Sequence, residues 1–197
     1  MKPSLESASD EGAGGGLARF RAALADNLEQ TFAHIPPGEF DAVVDLVTDT
    51  RRALYLIGGR FTDPVARYMA AHLRIVRPGV VHMAGQVENL RDQILDMRRG
   101  DTLVVFDVRR YQEDIVALAR GAAGRGVKVV LITDQWLSPI SRVAVHIMSA
   151  HISVPSNWDS NASVMALVEA LLAAATERLG ASAEARIAEI ERIRKSK

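Results

Sequence analysis

The stretch "ALYLIGGRFTDPVARYMAAHL", residues 53–73, decides the fold. It begins with an apolar run typical of a buried strand, passes through two glycines and a Thr-Asp-Pro, and continues as a helical pattern. Val65, Met69 and Leu73 share one face of that helix. A strand that turns tightly into a helix is the building unit of parallel α/β sheets. The stretch therefore predicts an α/β protein.

The same alternation of strand and helix continues along the chain. The strand-like segments are residues 53–58, 79–84, 102–108, 127–133 and 143–149. The first four are nearly continuous apolar runs, as expected for strands that are buried on both faces of a parallel sheet. Helical patterns separate the strands, including one through Leu90, Ile94 and Met97. We predict a three-layer α/β/α sandwich with a five-stranded parallel sheet and right-handed crossovers.

The segments outside this core differ in composition. Residues 1–16 are small, polar and glycine-rich, which predicts a disordered arm. Residues 17–50 predict two linker helices, separated by the Pro-Pro-Gly at 36–38, that pack on a central domain of residues 51–181. Residues 182–197 predict a charged C-terminal helix. We therefore expect one domain with helical extensions.

The overall composition excludes several classes of function. Lys plus Arg and Asp plus Glu both total 24 in 197 residues, so no bulk positive field favours nucleic acid. The chain has no cysteine, which excludes disulfides, thiolate catalysis and cysteine-ligated metal. No apolar run approaches the roughly 18 residues of a membrane span, and the N-terminus has no apolar signal segment. We expect a cytoplasmic protein with no membrane partner.

A ligand of such a sheet is expected beyond the carboxyl ends of the strands, where the strand order reverses. The loops at that end are 58–64, 107–114, 133–139 and, if the last strand runs on, 153–161. In the first loop, Asp63 is predicted to cap a helix with Pro64 in its first turn, so that free N–H groups face an anion. The alternative is that Gly58 and Gly59 only allow the chain to turn tightly.

The first loop lacks a nucleotide fingerprint. Counted from Gly58, the pattern G-x-G-x-x-G needs glycines where the chain has Arg60 and Asp63. No acidic residue ends the second strand to bind a ribose, and no Walker A loop occurs. A small anion is therefore favoured over a nucleotide.

The second loop is rich in groups that bind anions. Arg109 and Arg110 follow an apolar strand directly, and a guanidinium fork suits phosphate or carboxylate. Tyr111 adds a hydroxyl. The alternative is a solvated arginine pair with one member bridging to Asp107 or Asp114.

The third and fourth loops add hydroxyls and aromatic rings. Thr133 and Ser138 supply the hydroxyls in the third loop. Trp136 and Trp158 could either stack on a sugar face or cover the edge of the domain. Both interpretations remain open from the residues alone.

Three pieces of the chain together resemble a known family. They are "RAALADNLEQTF", "LYLIGGRFTDPVARYMAAHLRIVRPGVV" and "GDTLVVFDVRRYQEDIVALARGAAGRGVKVVLITDQWLSPISRVAVHIM". Across residues 22–181 the chain resembles the SIS (sugar isomerase) domain, specifically the effector-binding domain of RpiR/MurR-type bacterial transcriptional regulators. The resemblance implies a flavodoxin-like SIS fold that forms a homodimer or homotetramer and binds a phosphorylated sugar or a related metabolite.

The resemblance also implies positions for the ligand. The family's first phosphate-side loop corresponds to Gly58, Gly59, Arg60 and Thr62. The family's second loop normally carries a hydroxyl cradle, S-x-S-G-x-T, which this chain replaces at residues 106–111. Either arginine takes over from the hydroxyls, or the ligand is a different anion.

Regulators of this family carry a helix-turn-helix domain before the SIS domain. This chain has only its polar arm there, so DNA is expected to be bound only through a domain that this sequence lacks. We predict a sensor domain for a small anionic carbohydrate derivative, with no cofactor, no metal and no catalytic residue. The predicted ligand-binding residues are Gly58, Gly59, Arg60, Thr62, Asp107, Arg109, Arg110, Tyr111, Thr133 and Ser138.

Two other functions stay open. The chain could be a sugar-phosphate isomerase or lyase, which needs a general base near the substrate. The carboxylates at the correct end of the sheet are Asp107, Glu113, Asp134 and Asp159, and none of them lies in a catalytic motif. The other alternative is an SIS oligomerisation module that binds no ligand.

Overall fold

Five parallel strands form the centre of the structure, a computed structural model in which residues 13–84 and 92–196 are described. They are β1 Leu54–Gly58, β2 Val80–His82, β3 Thr102–Asp107, β4 Lys128–Asp134 and β5 His146–Ala150. The strand order is β2-β1-β3-β4-β5, and every neighbouring pair is parallel. The predicted five-stranded parallel sheet is therefore confirmed.

Helices cover both faces of this sheet. They are α1 Ala13–Ala33, α2 Pro37–Thr48, α3 Asp63–Val76, α4 Glu113–Gly124, α5 Ala162–Leu179 and α6 Ala181–Lys195, with short 3-10 turns at Ile94–Asp96 and Pro139–Arg142. The predicted three-layer sandwich is thus confirmed as well.

Two sequence-based boundaries need correction. Helix α1 begins at Ala13 rather than at Leu17, and the remainder of the predicted N-terminal arm lies outside the described residues. In the helix predicted through Leu90, Ile94 and Met97, Leu90 also lies outside the described residues. Residues 92 and 93 are helical, Ile94 belongs to the 3-10 turn that follows, and the backbone of Met97 is extended, so the helix ends earlier than predicted.

The strands divide their side chains between two apolar cores, because successive residues point to opposite faces. Leu54 and Leu56 of β1 pack towards α2, α3 and α5. Tyr55 and Ile57 pack towards α4 on the other face. The apolar side of α5 is buried in the first of these cores, so it packs within this chain.

The predicted linker helices pack on the sheet domain. Helices α1 and α2 both contact α5 and β5, and the Asn27 side-chain amide donates to the Ser153 carbonyl at 2.8 Å. At the other end of the chain, α6 contacts α3 and buries Ala183. The extensions therefore cover one face of the sheet.

Helix α3 starts unusually close to the end of β1. A Cβ atom added to Gly58 would lie 2.4 Å from the Asp63 nitrogen and 2.5 Å from the Thr62 carbonyl carbon. These are backbone atoms, so they cannot move aside as a side chain could. Glycine at this position lets the helix begin directly above the carboxyl end of β1.

We expect Gly58→Ala to destabilise the protein by about 1–3 kcal/mol or more, because the added methyl overpacks the turn. The matched control is Gly38→Ala in α2, where an added Cβ would contact nothing within 4 Å. That control should be neutral or stabilising by up to about 1 kcal/mol, since alanine favours helix. Urea unfolding measures both, and equal midpoints for Gly58→Ala and the wild type would contradict the close approach.

Candidate functional site

A cavity of 460 Å³ opens at the carboxyl ends of β1 and β3, the two strands between which the strand order reverses. It is lined by Gly59, Arg60, Phe61, Thr62, Asp107, Val108, Arg109, Arg110, Gln112, Asn157, Trp158, Asp159 and Asn161. Two larger depressions, of 610 and 800 Å³, lie away from the carboxyl ends of the strands. Because ligands of doubly wound sheets bind where strand order reverses, this cavity is the candidate site.

Two buried carboxylates join the loops that follow β3 and β4. Asp134, at the end of β4, accepts hydrogen bonds from the Arg109 N–H at 2.6 Å and the Tyr111 hydroxyl at 2.8 Å. Asp107, at the end of β3, accepts a hydrogen bond from the Ser138 hydroxyl at 2.5 Å. Each strand thus supplies the carboxylate that holds the other strand's loop. We call these five residues the carboxylate clamp.

The clamp holds unusual backbone conformations. In the described part of the chain, the non-glycine residues with positive φ are Arg110 at 66° and Leu137 at 61°. One lies in each clamped loop. Such conformations cost on the order of 1–2 kcal/mol for a residue with a Cβ, so the clamp offsets a local cost in both loops.

Burial raises the pKa of the Asp107 carboxyl above its ordinary value. The hydrogen bonds from Ser138 and from the Gln112 backbone N–H oppose this rise, and the nearby charge of Asp134 adds to it. Burial, followed by the hydrogen bond to Asp134, also raises the pKa of the Tyr111 phenol, which therefore stays protonated as a donor. Asp107 is the member of this pair that lies on the cavity wall.

The three arginines around the cavity are held differently. Arg109 forms an ion pair with Asp159 at 3.0 Å and lies over the Trp136 ring at 4.6 Å, so its side chain is fixed as part of the wall. The sequence left open a bridge from this pair to Asp107 or Asp114, whereas the ion pair that forms is with Asp159. Arg60 and Arg110 have no ion pair with any described carboxylate.

The start of α3 differs from the expectation. The N-cap residue is Thr62, so the prediction that Asp63 caps the helix is wrong. Asp63 is the first helical residue, and its Oδ1 lies 2.8 Å from Nε2 of His82 on β2. The Asp63 carboxylate therefore links α3 to the sheet.

The expected free N–H groups at this helix start are also not found. The Asp63 N–H donates to the Gly59 carbonyl at 2.7 Å, and Pro64 has no N–H. The N–H groups of Val65 and Ala66 donate to the Thr62 carbonyl. Because the turn before the helix supplies these acceptors, the N–H groups of Asp63, Val65 and Ala66 are not available to an anion in the cavity.

The donors of the turn before the helix also form hydrogen bonds within the protein. The Gly59 N–H donates to the Phe106 carbonyl at 3.0 Å, and the Thr62 hydroxyl donates to the same oxygen at 2.6 Å. The Arg60 N–H donates to the side-chain oxygen of Gln112 at 2.6 Å. The first loop is therefore tied to the second through both Phe106 and Gln112.

The ten predicted ligand-binding residues fall into two groups. Those on the cavity wall are Gly59, Arg60, Thr62, Asp107, Arg109 and Arg110. Gly58, Tyr111, Thr133 and Ser138 lie behind the wall. Thr133 and Ser138 are fully buried, and the Thr133 hydroxyl donates to the Asp107 carbonyl at 2.7 Å. We assign these four residues to supporting the loops rather than to contacting a ligand.

Sequence reasoning missed several wall residues. Phe61, Gln112, Asn157 and Asn161 were not singled out, although the loop of residues 153–161 was considered on condition that the last strand ran further. That strand ends at Ala150, yet the loop still reaches the cavity. The Asn161 amide donates to the Phe61 carbonyl at 2.8 Å, and Trp158 meets the Phe61 ring edge-on at 5.9 Å.

Among the described residues, no cluster of three or more His, Asp or Glu side chains is arranged to hold a metal ion. In the same part of the chain, every helix is too short or too polar to cross a membrane.

Comparisons with known proteins give one family and several solved structures. The model of the SIS domain family matches residues 48–174. The sugar isomerase domain of an RpiR transcription factor from Sphaerobacter thermophilus is 28% identical, with a TM-score of 0.80 over 89% of this chain and 98% of that chain. No curated protein sequence matches.

Two further structures are similar in fold. The NanR protein of Vibrio vulnificus, complexed with ManNAc-6P, is 18% identical, with a TM-score of 0.76 over 90% of this chain and 68% of that chain. A phosphoheptose isomerase from Francisella tularensis is 13% identical, with a TM-score of 0.71 over 85% of this chain and all (100%) of that chain.

We expect Asp134→Asn to destabilise the protein by about 2–4 kcal/mol, because the charged acceptor of several hydrogen bonds is lost. Tyr111→Phe is the control, since it removes only one donor and should cost about 0.5–1.5 kcal/mol. The free energy of unfolding in urea compares the two variants. If Asp134→Asn is no less stable than Tyr111→Phe, the clamp does not hold the loops.

Proposed function

Because this chain belongs to the SIS domain family, we propose that it binds a small anionic sugar derivative and acts as the effector-sensing domain of an RpiR-type regulator. The observation that carries the proposal is the cavity between β1 and β3, beside which Arg60 and Arg110 have no described carboxylate partner. The Arg60 guanidinium lies over the Phe61 ring at 5.3 Å. A guanidinium group without an internal carboxylate partner is suited to a phosphate or carboxylate of a ligand. The NanR complex with ManNAc-6P is a phosphosugar complex on the same fold.

The rest of the wall suits a sugar ring. Phe61 and Trp158 are half or more exposed beside the opening, at 50% and 65% of their surface. Aromatic rings pack well against the apolar C–H face of a sugar, and Asn157 offers an amide for its hydroxyls. The charged group and the ring of the ligand would thus contact different parts of the wall.

Sensing requires that ligand binding changes the relative populations of two arrangements of the protein. We propose that the protein is a cytoplasmic homodimer or homotetramer, in which ligand contacts on the loops at 58–62 and 107–112 shift how the protomers sit. In a full-length relative, that shift would change the spacing of two DNA-binding domains. The domain itself performs no chemistry on its ligand in this proposal.

We expect Arg110→Gln to lower the affinity for ManNAc-6P by about tenfold or more, since a hydrogen bond to a charged group is lost. Arg120→Gln is the matched control, because Arg120 is exposed on α4 and outside the cavity wall. Isothermal titration calorimetry of the three proteins measures the effect. The unphosphorylated sugar should bind more weakly than ManNAc-6P to the wild type, and equal binding by Arg110→Gln and Arg120→Gln would exclude Arg110 as the anion contact.

A sugar-phosphate isomerase is the second candidate, and the raised pKa of Asp107 on the cavity wall favours it. A carboxyl whose pKa moves towards neutrality is suited to proton transfer. The phosphoheptose isomerase of similar fold is an enzyme, although at 13% identity that likeness concerns the fold alone.

Turnover separates the two candidates. The purified protein is incubated with a panel of aldose and ketose phosphates, and the products are followed by proton NMR in heavy water, where isomerisation also exchanges the C1 or C2 proton. We expect neither product nor exchange above that of the Asp107→Asn variant. Product formation that Asp107→Asn abolishes would establish the enzyme and remove the sensor-only proposal.

A further inference from the structure

The side chain of Gln112 extends from the loop after β3 to the turn after β1, at the wall of the cavity. Its side-chain oxygen accepts the Arg60 N–H at 2.6 Å, and both residues line the cavity. The same oxygen lies over Gly59, where an added Cβ would be only 2.9 Å away from it. An amide oxygen of the protein thus sits where an oxygen of a bound anion could accept the same hydrogen bond.

The backbone of Gln112 is fixed, whereas its side chain is exposed. Its backbone carbonyl accepts the Val116 N–H at 3.0 Å in the first turn of α4. The side chain spans from this fixed point to the opposite loop and is exposed to solvent. It can therefore swing away by rotation of its own bonds while the loop stays in place.

Several other N–H groups of the turn and the helix start are satisfied by the backbone. Those of Gly59, Thr62 and Asp63 donate to backbone carbonyls at 2.7–3.0 Å. The Arg60 N–H differs because its acceptor is an exposed side chain. It is thus a backbone donor that a ligand can gain without disturbing the helix.

We propose that Gln112 is an internal surrogate ligand, whose amide oxygen competes with the anionic group of the effector for the Arg60 N–H. The inference rests on the proposed function, because it concerns the same cavity. A neutral amide is a weaker acceptor than a charged oxygen. A phosphate or carboxylate held by Arg60 and Arg110 therefore displaces it, whereas a neutral sugar hydroxyl gains little by doing so. Gln112 then sets which ligands have access to the turn.

Three variants of Gln112 test the competition. Gln112→Ala and Gln112→Asn both free the Arg60 N–H, the second while keeping an amide, so each should bind ManNAc-6P roughly three- to tenfold more tightly than the wild type. Gln112→Glu keeps the length of the side chain but adds a charged acceptor, so it should bind at least about tenfold more weakly. Gln30→Ala in α1 is the control for the same change outside the cavity wall.

A second readout needs no ligand. In nitrogen-15 NMR of the protein alone, the Arg60 amide should exchange with solvent faster in Gln112→Ala than in the wild type, and more slowly in Gln112→Glu. Inorganic phosphate, added to the wild type, should shift the side-chain amide signals of Gln112 as they leave the turn. The Gln30→Ala variant should match the wild type in both measurements.

The outcomes separate this inference from the proposed function. If ManNAc-6P binds the wild type, and Gln112→Ala binds it equally or more weakly, the competition is refuted while the anion site stands. If the Arg60 amide exchanges equally in all variants, Gln112 does not cover it and the inference is wrong. If none of the proteins binds ManNAc-6P or inorganic phosphate, the proposed function falls and the competition falls with it.

Discussion

The site depends on two buried carboxylates at neighbouring strand ends, each of which accepts hydrogen bonds from the loop that follows the other strand. Asp134 is fully buried and holds the loop after β3, and Asp107 is 1% exposed and holds Ser138 in the loop after β4. A buried carboxylate is costly unless its lone pairs are hydrogen-bonded, and here backbone and hydroxyl donors supply those bonds. Because each loop satisfies the charge at the end of the other strand, the two loops have to order together. The cavity wall is therefore built as a unit, with Arg109 and Arg110 carried on it.

The clamp explains why the hydroxyls at the ends of β3 and β4 do not form a cradle for a ligand. Serines and threonines that bind a ligand must face the cavity, whereas the hydroxyls of Thr133 and Ser138 are fully buried and bonded to Asp107. The polar groups that remain on the wall are carried by longer side chains, which extend from a backbone the clamp has fixed. The positive φ of Arg110 belongs to this arrangement, since it lies directly between two residues that Asp134 holds.

The sequence predicted the sheet well because the signals for buried parallel strands are local. Apolar runs such as residues 102–108, and the glycine turn after β1, can be recognised from a few neighbouring residues. Because ligands bind beyond the carboxyl ends of parallel strands, these elements then identify three loops of the site. The predictions that failed concern side chains that form hydrogen bonds with residues far away in the sequence. Asp63 looked like a cap because its type is suited to one, but its carboxylate bonds to His82 on a neighbouring strand instead. Whether Ser138 faces a ligand or Asp107, and whether Gln112 reaches Arg60 across 52 positions, cannot be read from spacing.

The N–H groups at the start of α3 form hydrogen bonds within the protein, and this limits which groups of the cavity could bind an anion. When a helix start offers several free N–H groups, affinity comes from a rigid cradle that fits one anion geometry. Here those groups donate to carbonyls of the preceding turn, and one backbone donor is shared with a side chain. Under the proposed function, recognition of the anion then depends mainly on arginine side chains, which are long and adjustable but carry full charge. Such a site discriminates strongly between charged and neutral sugars and only weakly among anions of similar size, because charge acts over distance whereas hydrogen-bond geometry does not. Under the proposed function, fine selectivity has to come from contacts between the sugar ring and Phe61 and Trp158. The aromatic side of the cavity, rather than the anion side, would then decide which charged sugar binds.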